Sequence, residues 1–475
     1  MPTLRRYPTV DALATHAATL TARHPRTARL RHAGTSRAGT PLWLLSVGHG
    51  PRHALVVAGP HANEPVGGAT ALRLAERLLT GPPPAGDDAD VTWNFLLCLD
   101  PDGARRNEAW LSGPYTLGNY FRNFFRPGFA EQPEWLPDGA DRAALPETRT
   151  LLALQDELRP FFHCSLHGVD VGGGFVELTR DLPGLDRRVA HAAARLGIPR
   201  ELGPYDTLYW PSLGPAVYRI PPPRRGDLAA AITEAAVEST WYHPHRYGTA
   251  TAVVEAPMWG VPAVADASPA TDPETFLRTV ARTLRHDTRL LDGILARLRP
   301  HLAGVPDADR LLAPVDDYLL VSPGLADSWD PDVHDPAARP LPMCDTAHLT
   351  ALGISGRRVA LRTAGLLHRL ATAAGPAAAG LLPRLDSLID GWCAEYRDQY
   401  GARWIPVARQ VEYQSRVVLA ACRLAARRPA ERPPAAGREA PEGRRPAPVP
   451  PPADARPRTG EPEWGAGAAV PMHRE

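Results

Sequence analysis

A chain of 475 residues with 53 basic and 52 acidic side chains has a formal charge of +1. It therefore lacks the one-signed field of a nucleic-acid or anionic-membrane binder, and its expected partner is a peptide or a small amide substrate. Every basic residue is arginine, so a pyridoxal Schiff base and a Walker A phosphate loop, which both need lysine, are excluded.

The opening stretch predicts a helix over 10–23, followed by strands over 29–32, 42–47 and 53–59 divided by Gly and Thr turns. Val66, Ala69, Leu72, Ala75 and Leu78 recur at helical spacing behind Pro65, which predicts a helix over 65–79. Further strands are expected over 92–99, 161–166, 175–178 and 250–255, and helices over 147–158 and 186–196. Such alternation implies an α/β fold with a largely parallel sheet covered on both faces. Residues 203–248, rich in Pro, Gly and Tyr, predict a long loop holding one helix over 228–237.

Beyond Asp272 the pattern predicts helices alone, over 273–302, 346–374, 381–400 and 405–427. The expected organisation is a catalytic domain over 1–270, a helical C-terminal region over 271–428 and a disordered Pro/Ala/Arg-rich tail over 429–475. Cys98, Cys164, Cys344, Cys393 and Cys422 form no CxxC pair, which argues against a disulfide framework or a thiolate zinc site. The N-terminus is too polar for a signal peptide, and no run of about 18 apolar residues occurs. The expectation is a cytoplasmic protein without membrane association; oligomeric state is not readable.

The segment VVAGPHANEPVGG sets His61 and Glu64 three residues apart between a strand and a helix, where an imidazole and a carboxylate reach one point. A catalytic zinc needs three nitrogen or oxygen ligands and an open position, and His167 in FFHCSLHG, ending an apolar strand, supplies the third. These residues, the DPDG box at 100–103 and Glu255 all fall at expected strand ends, the rim where open α/β sheets bind ligands. Glu255 in TATAVVE reads as the general base, because a carboxylate at the end of a buried strand needs a chemical reason. His243 and His245 form a rival metal pair, disfavoured by the intervening Pro244. Gly172 to Gly174 read as a rim loop, since the run precedes a strand instead of a helix N-terminus. No GxSxG elbow is present.

HxxE, DPDG, SLHG and the strand-ending glutamate together resemble the M14 zinc carboxypeptidase family over about residues 27 to 265. The resemblance implies an eight-stranded mixed sheet with helices on both sides, one zinc per chain on His61, Glu64 and His167, and Glu255 as catalytic carboxylate. It also implies a carbonyl-polarising arginine at Arg105 or Arg106, a carboxylate grip by Arg122 and Asn123, and an assisting tyrosine at Tyr247 or Tyr242. Asp100 stands where the family usually has Asn, and Phe121 where it has the carboxylate-gripping Asn. The expected function is metallocarboxypeptidase-type hydrolysis. GPHANEPVGG also resembles the aspartoacylase and succinylglutamate desuccinylase group, which would make the chain an amidase or deacylase. A third expectation is a catalytically silent binding domain.

Overall fold

A computed structural model of the chain describes residues 4–81, 90–136, 145–221, 239–333 and 345–427. The helix expected over 228–237, the tail over 429–475 and Cys344 lie outside the described residues.

Uninterrupted apolar runs make the centre of the sheet. β3 (Arg52–Ala58), β4 (Val91–Leu96), β5 (Phe162–Gly172) and β9 (Ala250–Gly260) are buried over nearly their whole lengths, as parallel strands covered on both faces must be. They run side by side as β4-β3-β5-β9, all parallel. One edge is extended by β2 (Pro41–Val47) and β1 (Ala28–Thr35), and the other by β6 (Phe175–Leu178), β8 (Val217–Arg219) and β7 (Ser212–Gly214). β10 (Arg403–Trp404) pairs with β9. Among the described residues the sheet is thus mixed and ten-stranded instead of eight-stranded, and its parallel part is confined to the centre and the β6–β8 pair. β7 and β10, of three and two residues, are too short to leave an alternation in the sequence.

Helices α1 (Val10–Arg23), α2 (Val66–Thr80), α6 (Leu185–Leu196) and α11 (Val407–Ala426) share a core with one face of the sheet, through Leu13, Leu74, Val189 and Val417 among others. α5 (Pro146–Leu158) covers Leu55, Val57 and Leu96 on the other face with Leu151 and Leu154. Two short helices, α3 (Pro101–Arg105) and α4 (Leu117–Asn123), follow β4. The late helices are α7 (Pro273–Leu298), α8 (Ala308–Trp329), α9 (Thr346–Ala373) and α10 (Leu382–Asp398). Asp272 and Asp345 cap α7 and α9 by accepting from the backbone N–H three residues on. α8 is absent from the sequence expectation because Pro314 and Pro323 lie inside it, and proline reads as a breaker.

Met1–Arg428 form one compact unit. α9 packs so closely on α4 that a Cβ at Gly365 would collide with the Phe121 carbonyl oxygen. β5 and β9 also run further than expected, to Gly172 and Gly260, which leaves His167 and Glu255 inside their strands, not at the ends. The described cysteines, Cys98, Cys164, Cys393 and Cys422, are free and buried. No helix among the described residues is long and apolar enough to cross a membrane.

Candidate metal centre and cleft

The turn between β3 and α2 carries His61 and Glu64. Its geometry is set locally: the Glu64 N–H donates to the His61 carbonyl at 3.1 Å, which folds the two side chains toward each other. Glu64 Oε1 lies 3.0 Å from His61 Nδ1, and its other oxygen lies 3.4 Å from His167 Nδ1 and accepts from the Gly168 N–H at 3.0 Å. Gly168 permits this approach, for a Cβ there would press on Val66 at 3.3 Å and on the Ala256 carbonyl at 3.4 Å. β5 and β9 put His167 and Glu255 in direct register, with Glu255 Oε1 3.6 Å from His167 Nδ1.

The other imidazole nitrogen of His167 is held from behind. His167 Nε2 lies 2.9 Å from Glu134 Oε2 and 3.0 Å from Ser165 Oγ, and the Ser165 hydroxyl donates to Glu134 Oε1 at 2.6 Å. Glu134 is fully buried and was not foreseen; it sits in an irregular stretch with no periodicity to flag it. His61, Glu134 and His167 offer ligand atoms that all lie within 4.8 Å of one another, a potential metal site.

Burial alone would lower the His167 pKa, but Glu134, with Glu64 and Glu255, holds it well above the ordinary value. Burial also opposes ionisation of Glu134, which His167 overrides to bring it to about 2. His61 is drawn down to about 4 by burial, with Arg126 adding to the effect. Glu64 stays well below the usual carboxylate range despite its burial, held there by His61 and His167. Burial pushes Glu255 well above that range, and Glu64 and Glu177 push the same way.

Three carboxylates therefore converge on two imidazoles in a buried site, an arrangement that a divalent cation balances. The residues fit zinc in donor type and spacing. Bonds of about 2.0–2.1 Å in a tetrahedron separate neighbouring ligand atoms by roughly 3.3 Å. The separations from Glu64 to the two Nδ1 atoms, 3.0 and 3.4 Å, straddle that value. His61 Nε2 and Glu255 Oε2 are buried without a hydrogen-bond partner.

These groups open on a cavity of about 190 Å³. Its walls include Trp135, Trp210 and Trp241, and α8 and α9 roof it through Tyr318, Leu325, Arg358 and Arg362. α8 and α9 thus belong to the cleft. Arg126 also lines it, with NH1 3.4 Å from Glu64 Oε1 and Gln132 accepting from its Nε and NH2.

The structure does not bring the other expected residues to this cleft. Arg105 ends α3 and pairs with Asp11 at 2.6 Å on the outer surface. Arg106 pairs with Asp307 at 3.0 Å and lies over the Phe125 ring. Asp100 caps α3, accepting from the Gly103 N–H at 2.9 Å. Arg122, on the helical turn of α4, faces α10 and pairs with Asp386 and Asp390, both at 2.8 Å. Asn123 bonds back to Asn119. The Tyr247 hydroxyl donates to Asp156 at 2.9 Å, and His243 lies 2.6 Å from the same carboxylate, so both are engaged at the surface. Tyr242 donates to the Ile220 carbonyl. Arg126 lies four residues past Arg122, in the extended segment after α4 ends at Asn123, and so escapes the helix face that points to α10.

A family model described as zinc carboxypeptidase matches residues 13–171, the stretch that contains His61, Glu64, Glu134 and His167. The M14-like pattern read in the sequence is that of this family. Among curated proteins, none matches the chain in sequence. Similar solved structures include a protein from Shewanella denitrificans assigned as a metallopeptidase, at 17% identity and a TM-score of 0.36, covering 52% of this chain and 81% of that one. Another is carboxypeptidase A from Helicoverpa armigera, at 15% identity and a TM-score of 0.34, covering 53% and 65%. Likenesses this distant say nothing of substrate.

Proposed function

We propose that this M14-like chain is a zinc-dependent hydrolase that cleaves a peptide or amide bond in a small substrate, with His61, Glu64 and His167 holding one zinc. The observation that carries this reading is Glu64 standing between the two Nδ1 atoms while Glu255 faces the same point. Glu134 is assigned outside the ligand set, since its two oxygens are taken by Ser165 and His167 Nε2. It fixes the His167 ring and leaves Nδ1 for the metal.

Zinc, when bound, supplies a Lewis acid that polarises an acyl oxygen and acidifies water. Glu255 accepts a proton from the attacking water and returns it to the leaving nitrogen, a role open to a carboxylate whose Oε2 is buried without a hydrogen-bond partner. Arg126 stabilises the oxyanion that forms on the substrate carbonyl. A carboxylate on the substrate is met by Arg358 of α9, whose Nε is buried without a partner at the cavity wall.

Metallocarboxypeptidase-type cleavage of short peptides fits this arrangement. Deacylation of an N-acyl amino acid is the second reading, favoured by the roof of α8 and α9 over a cavity of about 190 Å³. Elemental analysis of wild type, His61→Ala and His167→Ala tests the metal, and a panel of short peptides and N-acyl amino acids, with chelator and zinc restoration, tests the chemistry. One zinc per wild-type chain, lost in both variants, with chelator-sensitive cleavage is expected. A folded wild type that takes up no zinc ends the hydrolase reading and leaves a silent binding domain.

A further inference from the structure

Asn63 lies between His61 and Glu64 in the turn after β3, and its side chain is fully buried. Its amide nitrogen donates to Asp170 Oδ1 at 3.2 Å and to the Tyr120 hydroxyl at 3.1 Å, while that hydroxyl donates to the same Asp170 oxygen at 2.7 Å. The three side chains close a ring of hydrogen bonds, and the turn cannot shift without breaking it.

Asp170 is buried, and its cation comes from far along the chain. Arg362 of α9, with a side chain 12% exposed, donates to Asp170 Oδ2 from Nε at 2.9 Å and from NH2 at 2.8 Å. The stretch matched by the zinc carboxypeptidase model ends at residue 171, so it includes Asp170 and excludes Arg362. α9 is a firm support for that arginine. Seven residues on, and on the same helical face, Arg369 NH1 donates to the carbonyls of Arg106, Asn123 and Phe124. Apolar residues of similar volume often hold two elements together as well as a buried ion pair does, so stability alone does not call for this pair. What apolar residues do not supply is the acceptor that Asn63 uses.

We propose that Arg362 and Asp170 are positioning residues of the metal site: α9 fixes Asp170, Asp170 fixes Asn63, and Asn63 holds the turn that presents His61 and Glu64 to the metal. A helix beyond the family match thereby takes part in building the site. The proposal rests on the zinc reading of that turn.

The test compares full-length wild type, Arg362→Met, Asp170→Ala/Arg362→Met and Arg357→Met. Arg357 lies about 140° around α9 from Arg362 and pairs with Asp287 and Glu395, so its loss breaks a buried pair of the same helix without touching the turn. Zinc affinity is measured by competition with a chromophoric chelator under conditions where every chain is fully folded, so that stability differences do not enter it. Hydrogen exchange over residues 59–66 is measured on the metal-free chains. Arg362→Met and the double variant are expected to bind zinc roughly tenfold or more weakly and to exchange faster in the turn, while Arg357→Met matches wild type in both. The double variant regains stability yet still lacks the acceptor of Asn63, and it carries the comparison if Arg362→Met does not fold. Zinc affinity unchanged in Arg362→Met, a double variant that recovers affinity along with stability, or an equal loss in Arg357→Met overturns the proposal. If wild type binds no zinc, exchange decides. Faster exchange confined to Arg362→Met and the double variant keeps the hold of α9 on the turn while the hydrolase reading falls, and equal exchange in every chain ends both.

Discussion

His167 of β5 and Glu255 of β9 are register partners on adjacent parallel strands, and their side chains meet on one face with 3.6 Å between Nδ1 and Oε1. The sheet itself therefore sets the proposed base against the imidazole proposed as a zinc ligand. Glu255→Gln keeps the shape and removes the proton acceptor. It is expected to retain zinc while turnover falls by about 100-fold or more. Zinc stoichiometry and kcat measured on the same preparation check this, and turnover within tenfold of wild type would remove Glu255 from proton transfer.

Glu64 and Glu134 both touch His167, from opposite ring nitrogens, and only one of them can be the third ligand of the proposed site. Replacing a ligand abolishes tight binding, whereas replacing an orienting carboxylate weakens it by roughly 10- to 100-fold. Glu64→Gln is thus expected to purify without zinc, and Glu134→Gln to bind zinc with that moderate loss. Competition with a chromophoric chelator measures both. A larger loss in Glu134→Gln than in Glu64→Gln would exchange their roles.

The parts of this site that could be read in the sequence are those fixed by local geometry. His61 and Glu64 share one turn, and the apolar runs of β3, β5 and β9 announce buried strands whose parallel order brings their functional residues together. Glu134 is invisible because its partners, Ser165 and His167, lie 31 and 33 residues away and no periodic element holds it. The arginines failed for a different reason. Which of Arg105, Arg106, Arg122 and Arg126 faces the cleft depends on where short helices end and on which distant aspartates claim the others, and neither leaves a pattern in the chain. The roof was hidden by the prolines inside α8.

Arg126 lies at the candidate metal site, 3.4 Å from Glu64. Loss of one oxyanion donor typically lowers kcat by about 100- to 1,000-fold. Arg126→Ala is expected to show a loss of that size, while Arg105→Ala and Arg106→Ala, whose partners are Asp11 and Asp307, stay near wild type. Steady-state kinetics on one substrate decides it, and a large loss in Arg105→Ala or Arg106→Ala would restore the assignment implied by the family resemblance.

Asp170, just past His167 on β5 and fully buried, ties the roof to the sheet. Its Oδ2 accepts from Arg362 Nε and NH2 at 2.9 and 2.8 Å, and its Oδ1 from the Tyr120 hydroxyl at 2.7 Å and the Asn63 amide at 3.2 Å. Removing one partner of a buried pair strands the other charge and costs about 3–5 kcal/mol. Asp170→Ala should lose stability on that scale, and adding Arg362→Met should recover much of it. Urea unfolding of the single and double variants measures the coupling. A double variant as unstable as the sum of the single ones would mean that the pair contributes no more than its separate contacts.

Asp100 stands where the family usually has asparagine, and burial raises its pKa to about 7. Its Oδ1 accepts from the Gly103 N–H at 2.9 Å, while Oδ2 is buried without a partner. A carboxyl whose folded pKa lies above its ordinary value of 3.8 binds its proton more tightly when folded. Its contribution to stability is therefore greatest below about pH 4 and is lost as the pH rises through 7. Asparagine keeps the acceptor and has no charge to bury. Asp100→Asn and wild type should unfold at similar temperatures near pH 4.5, and the variant should become the more stable by up to a few kcal/mol by pH 8. Thermal unfolding across that range reads the difference directly, with groups common to both proteins cancelling. A constant difference at every pH would show that the Asp100 carboxyl does not titrate with folding in this window.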